Sequence, residues 1–135
     1  MTGKTGMMWV MALVLSSTLI HAGTVMAQET ITPLLSNDLA DISGKESLMY
    51  TVEFPPGFSS PVHRHNAHVS LYVLEGSVVM QVKGKNEVTL TPGQSFSEGP
   101  DDIHVVSRNA SSTKPARFLV FMIKDKDAPL LVLEQ

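Results

Sequence analysis

The chain has 135 residues, 43% of them apolar, with no cysteine and a formal charge of −3. That length makes one domain. The missing cysteines exclude thiol nucleophiles, thiolate metal ligands, iron–sulfur clusters and disulfide staples, and an acidic balance without a basic stripe argues against nucleic acid as a partner.

The chain opens on an export pattern. Lys4 gives a short positive start, Met7 to Ile20 is apolar apart from Ser16, Ser17 and Thr18, and small residues lead to Val25-Met26-Ala27. This is the layout of a secretory signal peptide. The cut is expected after Ala27, with Ala22 as the alternative. The apolar run falls short of the roughly 20 residues that span a bilayer, so no stable membrane insertion is expected after cleavage. No cysteine stands near the cut to take a lipid. Residues 28–135 then form the working domain, exported to the periplasm or secreted. Without Lys4 it has nine basic residues against thirteen acidic ones, a formal charge of −4.

From Gln28 to Leu35 the pattern is mixed and allows a short strand, and Ser36-Asn37-Asp38 reads as a turn or a helix cap. Leu48 to Phe54 alternates Leu48, Tyr50, Val52 and Phe54 against polar or flexible positions, which predicts a strand. Pro55-Pro56-Gly57 ends it. Further strands are predicted over 69–75, 78–83, 87–91, 94–97 and 103–107. A long apolar run over 116–124 is predicted to be central or dimer-facing, and 130–133 to pair at an edge. No amphipathic helix is evident. Many short strands separated by Gly and Pro predict an all-β antiparallel sandwich or barrel.

Histidines carry the chemistry. His63 and His65 are two apart, so on an extended strand both imidazoles share a face. His104 returns on a later strand, after the turn-like run Glu98-Gly99-Pro100-Asp101-Asp102. Three such imidazoles build one face of a site for Fe, Mn, Zn, Ni or Cu, and ligand type alone does not choose among these metals. Read blandly, the same histidines line a polar pocket and hydrogen-bond a ligand.

These residues resemble a small single-domain cupin, a jelly-roll barrel also called a double-stranded β-helix. The family's first motif runs Gly, five residues, His-x-His, three or four residues, Glu, six residues, Gly. Gly57, His63, His65 and Gly76 fall at those spacings. The second motif runs Gly, five residues, Pro-x-Gly, two residues, His, three residues, Asn. Gly93 and His104 fit it, Pro100 comes one place late, Asp101 stands for the second Gly, and Asn109 lies one place beyond the family's Asn. The resemblance covers Leu48 to Ile123. It implies a homodimer, a small-molecule ligand and metal ligation by His63, His65 and His104. Val69 stands where the family usually places its metal-binding Glu, and valine cannot ligate.

Glu98 is the better oxygen donor to complete the set, or a catalytic proton-transfer group. By parity His68 points outward, and Gln81 is a weaker lumen candidate. Arg64 alternates with the two histidines and faces away. Arg108 follows His104 by four and on a regular strand shares its face, where it would meet an anionic substrate. Arg108, Phe96 and Tyr72 are the candidate substrate contacts. Phe54, Leu71, Met80 and Phe118 make the lumen apolar, suited to a small ligand. No Ser-His-Asp set, phosphate-cradling loop or dinucleotide fingerprint appears. The expected function is metal-dependent oxygenation, isomerisation or lyase chemistry on a small organic molecule, or else non-catalytic ligand binding or sensing by the same pocket.

Overall fold

A computed structural model describes residues 27–135, and the expected signal segment lies almost wholly outside the described residues. The described chain holds no helix. Its strands are β1 Thr30–Asp38, β2 Lys45–Phe54, β3 His63–Arg64, β4 His68–Glu75, β5 Val78–Val82, β6 Val88–Leu90, β7 Ser95–Glu98, β8 Ile103–Asn109, β9 Ala116–Asp125 and β10 Val132–Leu133. They form two five-stranded sheets, ordered β1-β2-β9-β4-β7 and β10-β3-β8-β5-β6, with every pairing antiparallel. This is the jelly-roll barrel that the strand pattern and the resemblance predict.

Alternation decides which residues enter the core. In β4, Val69, Leu71 and Val73 are buried while His68, Ser70 and Tyr72 face out. In β2, Tyr50, Val52 and Phe54 are buried, and in β9, Phe118, Val120 and Met122. These side chains meet between the sheets. Phe54 and Phe118 pack edge to face with ring centroids 5.0 Å apart. Each fully buried side chain such as Phe54, Met80 or Met122 contributes roughly 1.5–3 kcal/mol. β9 is central, between β2 and β4. Its last inward position, Lys124, is buried too, and its ammonium is held by Glu46 and the carbonyls of Asp125 and Ala128.

Two local readings change. Ser36-Asn37-Asp38 is strand, not turn, because β2 starts early enough to pair Asp38 with Glu46. The turn falls instead over 39–44, closed by Leu39 N–H donating to the Lys45 carbonyl and ended by Gly44 at a φ of +76°. In β8, Gln81 pairs with Val106 but Val82 pairs with His104, so Val105 is an extra residue and the strand bulges. A bulge resets the alternation. His104, Ser107 and Asn109 are all buried as a result. The one-residue offset of Asn109 from the family spacing coincides with this extra residue. Asn109 Nδ2 donates to the carbonyls of Phe54, Pro55 and Lys114, and its Oδ1 accepts from Ser111 N–H. It ties the end of β8 to the end of β2.

Candidate metal centre

Three strands and one turn assemble the centre at one end of the barrel. His63 in β3 stands directly across from His104 in β8. Their rings stack with centroids 5.2 Å apart. His65 lies just past β3, where Asn66 takes a φ of +50° and turns the chain toward β4. Its ring sits edge-on to His63, 5.0 Å away. Glu98 closes β7, where the inward positions are Phe96 and Glu98. Glu98 is paired across the sheet with Val69, the position where the family usually carries its Glu. A carboxylate therefore reaches this end of the barrel from the neighbouring strand.

One ligand atom each from His65, Glu98 and His104 lies within 4.8 Å of the other two. Glu98 Oε1 is 3.3 Å from His65 Nε2, and Glu98 Oε2 lies against His104 Nε2. His63 belongs to the same cluster of rings but not to this tightest group. His65 Nδ1 donates to the Leu130 carbonyl at 2.6 Å, and His63 Nδ1 to the Pro61 carbonyl at 2.8 Å. Those bonds fix each ring's tautomer and leave the Nε2 lone pair open, the arrangement that holds metal-ligating histidines in place.

The electrostatics agree with that arrangement. Glu98 and His104 side chains are only 3% and 4% exposed. Burial pushes the Glu98 pKa up to about 8, with Asp102 adding to the rise and Lys85 opposing it. Burial lowers His104 to about 4, assisted by His63 and His65. His65 is lowered as well, mainly by burial. His65 and His104 are neutral at pH 7, as ligation requires, whereas Glu98 gives up its proton when a cation binds. Glu98 Oε2 and His104 Nδ1 are buried without a hydrogen bond of ordinary geometry among the described residues. A buried, unsatisfied acceptor facing neutral imidazoles fits a divalent cation.

The other expected residues are spread around the barrel. Phe96 packs beside the centre, 5.9 Å from His104 between ring centroids. Tyr72 faces outward on β4, at 47% exposure, because it alternates with Leu71 and Val73. Arg108 does not line the cavity. The bulge at Val105 turns it out of the barrel, where it pairs with Glu87 at 3.5 Å. Arg64 faces outward and pairs with Glu134 at 2.9 Å. Gln81 also lies outside the lumen and donates to the Lys85 carbonyl. His68 is exposed.

The cavity next to the centre is lined by His63, His65, His104 and Glu98, and by Val69, Leu71, Met80 and Phe118. Sequence reasoning missed four polar members of its wall: Glu29, Tyr50, Ser60 and Ser107. Tyr50 belongs to the inward row that the alternation of β2 shows, so its position was legible and its role was not. Burial, with Glu98 and Glu29 nearby, holds its phenol protonated. Ser107 becomes inward only through the bulge. Glu29 and Ser60 lie outside the strands and carry no periodic signal.

Residues 50–122 match the family described as Cupin_2, Cupin domain, so this chain belongs to the cupin domain family. No curated protein matches it. Solved structures agree with the fold. The DMSP lyase DddQ from Ruegeria pomeroyi DSS-3 is 25% identical over 64% of this chain, with a TM-score of 0.57, and this chain spans 42% of that lyase's length. An oxalate oxidase in complex with glycolate is 23% identical over 87% of this chain and 62% of its own, with a TM-score of 0.60. A putative mannose-6-phosphate isomerase from Ralstonia eutropha JMP134 is 15% identical over 78% of this chain and 94% of its own, with a TM-score of 0.61.

Proposed function

We propose that this chain is an exported small cupin that holds a divalent transition metal in its barrel and uses it on a small organic molecule. The observation that carries this reading is the convergence of His65, Glu98 and His104 ligand atoms within 4.8 Å, in a buried setting. His65 and His104 would bind through Nε2 and Glu98 through its carboxylate, with His63 beside them as a further ligand. When bound, the metal supplies Lewis-acid polarisation of a ligand oxygen or a centre for oxygenation. Glu98 is also the group best situated to take or return a proton at its carboxylate. The apolar wall of Val69, Leu71 and Phe118 keeps bulk water away from the bound ligand.

Lyase or isomerase chemistry and oxygenation are the two reaction classes we propose, and the structures named as a lyase and an oxidase support both. Residues 1–27 are proposed as a secretory signal, which sends residues 28–135 to the periplasm or outside the cell. The working protein is proposed as a homodimer.

Elemental mass spectrometry on the mature protein, purified without a His tag, tests the reading. The parent should carry about one transition metal per chain, and a folded His65→Ala/His104→Ala variant should carry none. A parent that stays metal-free after incubation with Fe, Mn, Zn, Ni and Cu overturns the metal centre. Tight ligand binding by that metal-free protein would instead make it a non-catalytic binding or sensing module.

A further inference from the structure

The cavity holds one carboxylate that the proposed metal centre does not use. Glu29, the residue before β1, lines the same cavity and is half-buried. It lies near enough to His63 for that ring to oppose the rise that burial causes in its pKa. Among the described residues no Lys or Arg lines the cavity. The cations closest in sequence to the centre are engaged elsewhere: Arg64 with Glu134 and Arg108 with Glu87. A carboxylate drawn partly out of water is stabilised by a cation or a hydrogen-bond donor brought to it.

The walls favour the same kind of ligand. Tyr50, Phe54 and Phe118 all line the cavity, and aromatic ring faces attract cations. An anionic group would meet Glu29 with no side-chain cation to offset it, and only a metal would receive it. Size narrows the ligand further. The cavity volume is about 60 Å³, and at roughly 15 Å³ per water-sized group there is room for about four such groups.

We propose that this cavity selects a short molecule with a protonated amine at one end, held by Glu29, and an oxygen donor at the other, directed to His65, Glu98 and His104. The oxygen end rests on the metal reading above. The amine end rests on Glu29 and the aromatic wall alone.

Isothermal titration calorimetry on zinc-incubated and chelator-treated protein tests the two ends separately, with zinc content measured in every sample. The zinc-loaded parent should bind ethanolamine, with four non-hydrogen atoms, about tenfold more tightly than 1-propanol. The chelator-treated parent should bind propylamine more tightly than propanol. Glu29→Gln, a near-isosteric change at a half-exposed position, should erase both preferences while keeping its zinc. Equal affinity for amine and non-amine probes in the parent, no binding of any probe, or a preference that survives in Glu29→Gln overturns the assignment. If zinc fails to load but the preference for propylamine depends on Glu29, the metal reading fails and the amine site stands. If zinc loads and no amine preference appears, the outcome is the reverse.

Discussion

Glu98 and His104 share one buried contact, and burial moves their pKa values in opposite directions. Unfolded, Glu98 loses its proton near 4.5, whereas folded it keeps it to about pH 8. The folded state therefore binds more protons between those values, and Glu98 makes stability fall as pH rises. His104 falls from 6.5 unfolded to about 4 folded. Between pH 4 and 6.5 the folded state binds fewer protons at that ring, and stability rises with pH. The two effects oppose each other below pH 6.5, and above it only Glu98 acts. The melting temperature of chelator-treated protein should thus decline from pH 6.5 to 8, and Glu98→Gln should remove the decline. Thermal scans at a series of pH values check this, and a parent whose melting temperature rises over that interval contradicts it. The sequence offers Glu98 as an oxygen donor from its place just ahead of the turn that leads to His104, but its inward direction across from Val69 follows only from the pairing of β7 with β4. The residue alone is an acidic side chain ahead of a turn.

Among the elements, the turn between β4 and β5 is the most constrained. Gly76 has a φ of +69°, and a Cβ built there would come within 2.5 Å of the Pro115 carbonyl oxygen and 2.8 Å of Ala116 Cα. Backbone cannot yield as a flexible side chain can. Gly76→Ala should destabilise the fold by about 1–3 kcal/mol, read as a lower denaturant midpoint at unchanged slope. The motif glycine was legible in the sequence, but the close approach of the segment entering β9 was not, because those residues lie 39 and 40 positions along the chain. The outer face of the larger sheet makes a second case. Tyr72 and Phe121 project from adjacent strands at 47% and 39% exposure, and Leu74 at 40%. A face this apolar suits the proposed homodimer. Sedimentation equilibrium should give twice the chain mass for the parent and the single-chain mass for Phe121→Lys, and a monomeric parent contradicts the proposal.

Across the whole molecule, the sequence by itself determined the class of fold and most of the inward rows. Period-two alternation in 48–54 and 69–75 reports burial on one face wherever a strand is regular. The same rule predicted Arg108 beside His104. It failed because one extra residue at Val105 reversed the parity of everything after it, and a bulge depends on pairing with β5 rather than on local composition. The three histidines were visible as candidate ligands from spacing and residue type. That Glu98 stands across from Val69, that His65 rather than His63 joins the tightest group, and that Glu29 enters the cavity were decided only by the tertiary structure. Each depends on which strands become neighbours and where a loop crosses the barrel, and such distances are set by long-range packing, not by position along the chain.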